Sequence, residues 1–271
     1  MISTYLNGRL GNNLFQYVFC RISAIKKNCN FFLPNNREES ISFYVDCMIK
    51  TRRSLEMPCD SNPHYWTGEK LFDIDFGVND GFINKVVGDI SVEGVSDGSL
   101  LVGFYQRDSH MLEFRDEIIN DWLKFKDSII EEGNNLLNLY DPNNYCYIHF
   151  RGTDYKGIPQ FYLPKSYYFD AIEKIKEVNE NIKFLVITDD VEESKKIFDG
   201  FEVISNTTEM DFYLLSQSKF SIIPNSSFSW WSRWLSKNNE MTIAPNRWFN
   251  YNSNENTFSP PGINTSFFTY I

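Results

Sequence analysis

Tyr145-Cys146-Tyr147-Ile148-His149-Phe150-Arg151-Gly152-Thr153-Asp154 joins a short, nearly all-apolar run to a polar turn that carries an imidazole, a guanidinium and a carboxylate. A run of that length and composition predicts a strand buried on both faces, the kind found in parallel sheets. In open α/β sheets, ligands bind just outside the carboxyl ends of such strands. Arg151 at that edge offers a rigid fork of donors suited to phosphate oxygens. An Arg and an Asp three residues apart also pair readily and brace a loop, with His149 then a satisfied interior residue, so both readings stand at this point.

Outward from this strand, further apolar runs occur at Ile182–Thr188, Phe201–Ile204, Phe220–Pro224 and Met241–Ala244. Helix-period segments lie between them: Ser166–Val178, Val191–Phe198 after an Asp190 cap, Thr208–Ser218 after a Thr207 cap, and Ser226–Leu235. Strand and helix in regular alternation predict a parallel, doubly wound sheet. The first half opens in the same style. Ile2–Leu6 predicts a strand, Asn7–Asn13 a glycine-bearing turn, the stripe Leu14, Phe15, Val18, Phe19, Ile22, Ile25 a helix, and Asn30–Leu33 a second strand. Residues 35–95 show no convincing period. A strand at Leu100–Tyr105 and a long helix over Met111–Glu132 complete this half, and the polar stretch Gly133–Asn144 predicts the linker. The expected architecture is α/β, with two domains at residues 1–140 and 141–271 facing each other across a cleft.

Composition excludes several classes. The 271 residues, 42% of them hydrophobic, suffice for a packed core. A net charge of −10 argues against a nucleic-acid scaffold, which needs basic faces. The five scattered cysteines include no C-x-x-C pair, which predicts reduced thiols and a cytoplasmic chain. No signal sequence or membrane-length apolar run is visible, and no His/Cys cluster has zinc spacing. Asp73-Ile74-Asp75 has the look of a metal-holding pair, but two aspartates at that spacing arise easily in an acidic chain, so no metal is expected.

Three further stretches carry chemistry. Gly8-Arg9-Leu10-Gly11-Asn12 is a glycine-bearing strand-to-helix turn without the dinucleotide fingerprint. Pro224-Asn225-Ser226-Ser227-Phe228-Ser229-Trp230-Trp231 follows a predicted strand and places small hydroxyl residues at a helix start, where caps form and phosphates bind. Thr208-Glu209-Met210-Asp211 opens the preceding helix; acidic residues there suit the helix dipole, and a carboxylate aimed inward can also accept both N–H donors of a guanine edge.

Taken in order, these stretches resemble the α-1,2-fucosyltransferases of glycosyltransferase family 11. The resemblance runs through Gly8–Tyr17, Gly103-Phe104-Tyr105-Gln106, His149–Tyr155, Ile187-Thr188-Asp189-Asp190, Glu209–Ser216 and Asn225–Trp231. It implies a GT-B fold of two Rossmann-like domains: an acceptor-side domain, then one that binds GDP-fucose. It implies a metal-independent, inverting transfer of fucose from GDP-β-L-fucose to the 2-hydroxyl of a terminal β-galactoside of a glycan, with no cofactor beyond the donor. By position, Arg151 would hold the β-phosphate, and Ser226 and Ser227 would hold phosphate oxygens, with Phe228 beside them in the donor site. His149 and Asp211 would recognise guanine, and Asn12 would face the reacting centre. Asp154 would act as general base or orient Arg151. Two positions depart from the family pattern: Gly152 stands where many members have a second basic residue, and Asn13 where Gln is common. The enzyme would be soluble or loosely attached to the cytoplasmic membrane face. Transfer of fucose to protein, or nucleotide-sugar binding without turnover, are the alternatives.

Overall fold

The computed structural model describes residues 1–33, 84–88, 90–251 and 257–271. These divide into two compact units, Met1–Lys124 and Phe125–Ile271. Asp73, Asp75 and most of the aperiodic region lie outside the described residues.

Among the described residues, the first unit holds four strands, β1 (Ile2–Thr4), β2 (Phe31–Phe32), β3 (Asn84–Val87) and β4 (Ser99–Val102), in the order β2-β1-β4-β3. Every neighbouring pair is parallel. Helix α1 (Leu10–Lys26) buries Leu14, Phe15, Val18, Phe19 and Ile22, as its period requires, while Ile25 in its last turn is exposed. The helix starts earlier than its stripe suggests. Gly8, at φ 82, makes the reversal in a region that side chains avoid, so Gly11, Asn12 and Asn13 already lie in the helix.

The expected long helix over Met111–Glu132 is replaced by short helical turns between Asp108 and Trp122, followed by α2 (Asp127–Leu139). Phe125 interrupts the run to pack edge-on against Tyr213 at 5.1 Å. Nor is Gly133 the start of a linker. It lies inside α2, where a Cβ would stand 2.1 Å from the Tyr213 ring, so glycine there permits close helix contact. The helix therefore belongs to the second unit.

That unit continues with β5 (Tyr145–Phe150), α3 (Lys165–Val178), β6 (Lys183–Thr188), α4 (Val191–Ile197), β7 (Glu202–Ile204), α5 (Thr208–Gln217), β8 (Phe220–Ile222), α6 (Ser227–Trp234), β9 (Met241–Ala244) and β10 (Thr269–Tyr270). Its six-stranded sheet runs β10-β9-β8-β5-β6-β7, with every neighbouring pair parallel. The chain starts in the middle at β5, winds outward through β6 and β7, then returns to β8 on β5's other flank. This is a Rossmann-like doubly wound order, and its reversal lies between β5 and β8. Strand β5 alternates between two buried faces. Cys146, Ile148 and Phe150 pack with Tyr168, Ala171, Ile172 and Ile175, while Tyr147 joins Leu185, Ile187, Leu214 and Leu215. Asp190 and Thr207 cap their helices as predicted, accepting from Glu193 N at 3.1 Å and Met210 N at 3.3 Å. No described helix is long and apolar enough to cross a membrane.

Candidate active site

The carboxyl ends of β5 and β8 flank the point where strand order reverses, which is where open α/β sheets hold ligands. Register sets the first contacts. Phe150 lies opposite Thr188, so the next residues, Arg151 and Asp189, leave the sheet side by side. Arg151 Nη1 meets Asp189 Oδ2 at 3.1 Å, while Nη2 and Nε reach Asp154 Oδ1 at 2.9 and 3.0 Å. Asp189 also accepts from Gly152 N at 2.8 Å and from the Thr153 hydroxyl at 2.8 Å. Burial pushes its carboxyl up, but the Arg151 charge and these bonds outweigh that and hold it below the usual range. The guanidinium is thereby fixed in plane, with the Tyr155 ring 5.6 Å away.

Across the reversal, the chain after β8 passes through Asn225 and Ser226 into α6. Ser226 is the cap residue by position, yet its side chain makes no capping bond. The first N–H groups of α6 lack helical acceptors by construction and suit an anion. With two carboxylates on one guanidinium, these N–H groups are needed to complete a positive field. Behind them Trp230, Trp231 and Trp234 are buried. So is Arg233, held by Thr242 Oγ1 at 3.0 Å and Asn239 Oδ1 at 2.8 Å, its pKa lowered to about 9 by burial. It anchors the helix.

His149, the last residue but one of β5, shares the face of Tyr147, is 4% exposed and lies 5.3 Å from the Phe228 ring. Burial lowers its pKa to about 4, against a smaller upward pull from Asp189, so the imidazole is neutral at pH 7. Phe228 in turn contacts Phe212 at 5.2 Å, next to Asp211 in the first turn of α5. Asp211 accepts from Asn206 N at 3.3 Å and Nδ2 at 2.9 Å. Burial nevertheless pushes its pKa up to about 7. A cavity of about 370 Å³ opens beside that turn, lined by Glu132, Asn135, Leu136, Asn206, Thr207 and Met210. It includes none of the residues at the strand ends.

The structure thus gathers His149, Arg151, Asp154, Ser226, Ser227 and Phe228 around one reversal, with Asp211 linked through Phe212 and Phe228. Asn12 belongs to the first unit. There its Oδ1 accepts from Gln106 Nε2 at 2.8 Å, and Gln16 Nε2 donates to Gly103 O at 2.9 Å. A Cβ on Gly8 would meet Asn12 Nδ2 at 2.3 Å, so this glycine also clears the side chain's position. Asn13 is buried and bonds Asn7 O at 3.1 Å, a tie within the turn.

Asp189, Tyr155, Asn225 and Lys156 carry no local signal of their roles, because their partners come from other strands and loops. The register signal for Asp189 was available: it is the residue just past a strand adjacent to β5. Gly152 also acquires a reason. A Cβ there would lie 2.4 Å from Asp190 Cβ, so the second basic residue of the family pattern has no room. Lys156, one helical turn on, is the cation that meets Asp190, at 2.5 Å. Among the described residues, no group of three or more His, Cys, Asp or Glu side chains could hold a metal ion.

The model of glycosyl transferase family 11 matches residues 85–260. An alpha-1,2-colitosyltransferase from Escherichia coli is 32% identical over 185 residues, an alignment covering 62% of this chain and 62% of that protein's length. The O-antigen biosynthesis glycosyltransferase WbnK from Escherichia coli is 27% identical, covering 90% of this chain and 93% of its own. Among solved structures, POFUT1 in complex with GDP-fucose superposes with a TM-score of 0.47 at 9% identity, covering 90% of this chain and 96% of that one. NodZ alpha-1,6-fucosyltransferase soaked with GDP-fucose gives 0.43 at 12%, covering 87% and 92%.

Proposed function

This chain belongs to glycosyl transferase family 11, and from that premise we propose that it transfers L-fucose from GDP-β-L-fucose to the 2-hydroxyl of a terminal β-galactoside, with inversion and without a metal. The observation that carries this reading is Arg151, fixed by Asp154 and Asp189 at the strand-order reversal and adjoined by the start of α6. A diphosphate leaving group gathers negative charge as the glycosidic bond breaks. Arg151 meets that charge with two N–H groups, and the first N–H groups of α6 meet it from the other strand. Both are in place beforehand, so little reorganisation accompanies the reaction.

His149 and Asp211 serve the base in this reading. A neutral imidazole and an inward carboxylate suit the polar edge of guanine, and Phe228 supplies an apolar face. Ser226 and Ser227 bind phosphate oxygens. Asp154 is engaged with Arg151 through two bonds, which favours an orienting role over that of general base. Asn12, held by Gln106, serves the acceptor side. The acceptor hydroxyl attacks in line behind the anomeric carbon, which gives inversion.

The colitosyltransferase among the relatives favours a second donor reading, GDP-linked colitose, the 3-deoxy counterpart of fucose. Incubation with GDP-fucose and with GDP-colitose, each with lactose and with other β-galactosides, tests both. A 1→2 linked fucosyl product supports the first reading. A colitosyl product alone shifts the donor, and no product with any galactoside sinks the proposal.

A further inference from the structure

Asn225 lies at the strand-order reversal, one residue before the cap position of α6, and is 1% exposed. Its Nδ2 donates to Phe161 O at 3.0 Å and to Trp248 O. Its backbone carbonyl accepts the Tyr155 hydroxyl at 3.1 Å. One side chain therefore ties the chain after β8 to the loops that follow β5 and β9. Its Oδ1 is buried and has no hydrogen-bond partner among the described residues.

Turning the amide over does not help, since it would set Oδ1 against two carbonyl oxygens that now accept N–H groups. Buried polar atoms are paired in nearly all folded proteins, so this acceptor calls for a donor that the described residues do not supply. The site is otherwise built for an anion, yet phosphate oxygens only accept. The missing partner must bring a proton of its own. On a nucleotide-sugar bound at this edge, the groups that can do so beside the phosphates are hydroxyls.

Resting on the donor reading above, we infer that Asn225 is a specificity-determining residue whose Oδ1 accepts a hydrogen bond from one sugar hydroxyl of the donor, on the ribose or on the hexose. The pinned Nδ2 makes this an acceptor of fixed direction, suited to choosing among sugars that differ by a single hydroxyl. Since Oδ1 is covered by protein, the surrounding loops give by the width of a hydroxyl as the bond forms.

The test is binding calorimetry with wild type and Asn225→Ala, using GDP, GDP-fucose and analogues that each lack one ribose or fucose hydroxyl. One deoxy analogue should bind wild type about tenfold more weakly than its parent, the worth of one hydrogen bond. The same deletion should cost Asn225→Ala nothing, the coupling a double cycle isolates. A ribose contact shows already with GDP, whereas a hexose contact shows only with GDP-fucose. A second measurement needs no variant: in a crystal of wild type with GDP-fucose, a sugar hydroxyl should lie within about 3.2 Å of Oδ1. If no deletion costs wild type more than about twofold, if the variant keeps the full discrimination, or if a water occupies that place, the role is overturned. Wild type that binds neither GDP nor GDP-fucose would instead overturn the donor reading.

Discussion

Arg151 and Asp189 leave adjacent parallel strands at the same level, and their side chains meet at 3.1 Å because Phe150 and Thr188 are register partners. The Arg151 guanidinium is thus positioned by the sheet itself, and its orientation follows from a pairing formed when the core folds. Asp154, three residues on, holds the guanidinium's other edge.

Arg151→Ala should lower transfer by ~10²–10³ while leaving the fold intact, the usual cost of removing one preorganised donor at a developing charge. Arg151→Lys should recover little of it, because an ammonium cannot keep two carboxylates and a phosphate in one plane. Steady-state kinetics with far-ultraviolet dichroism as a fold check decides this. Near-normal turnover in Arg151→Ala would refute the phosphate role.

Gly152→Ala should destabilise the protein by about 1–3 kcal/mol, the range for inserting a methyl into a filled space. The added Cβ would strike Asp190, which caps α4 and pairs with Lys156. Urea unfolding measures the loss, and an unchanged midpoint would show that Asp190 yields at no cost.

Gly133→Ala sets two effects against each other. Helix propensity favours Ala by roughly 1 kcal/mol, while its Cβ would lie 2.1 Å from the Tyr213 ring. Overpacking of that kind costs about 1–3 kcal/mol and should win. A variant with a raised melting temperature would contradict the close packing of α2 on α5.

Asp211 should make stability and ligand binding depend on pH in opposite ways. Its folded pKa, about 7, lies above the ordinary aspartate value of 3.8. Its contribution to stability is therefore fully present below pH 3.8 and lost as pH rises through 7. His149, lowered from 6.5 to about 4, has the opposite sign: its contribution is present above 6.5 and lost as pH falls through 4. The difference in unfolding free energy between Asp211→Asn and wild type isolates Asp211, and should grow in the variant's favour from pH 4.5 to 7.5. If the Asp211 carboxylate receives guanine as proposed, affinity for GDP should weaken below pH 7 in wild type only. A pH-independent difference between the two proteins would contradict this.

Most of the second unit was legible in the sequence because each strand is a short apolar run and each helix carries its own period or cap. The switch-point residues were legible for the same reason, since a polar turn directly after such a run marks a sheet edge. The long-range pairings were less so. Gly133 looked like a breaker because propensity is local, whereas its reason is a Tyr213 ring 80 residues away along the chain. Asn225 looked like part of a helix start, and only the packed loops after β5 and β9 reveal what its amide holds. The break at Phe125 was likewise hidden, because an aromatic that leaves a helix to fill a core has the same local signal as one that stays.

The proposed transfer requires a diphosphate seated between Arg151 and the first turn of α6. A crystal structure of the protein with GDP tests it directly. The β-phosphate should lie within hydrogen-bond reach of the Arg151 guanidinium and of N–H groups at Ser227–Ser229. A nucleotide bound elsewhere, with both left in solvent, would contradict it.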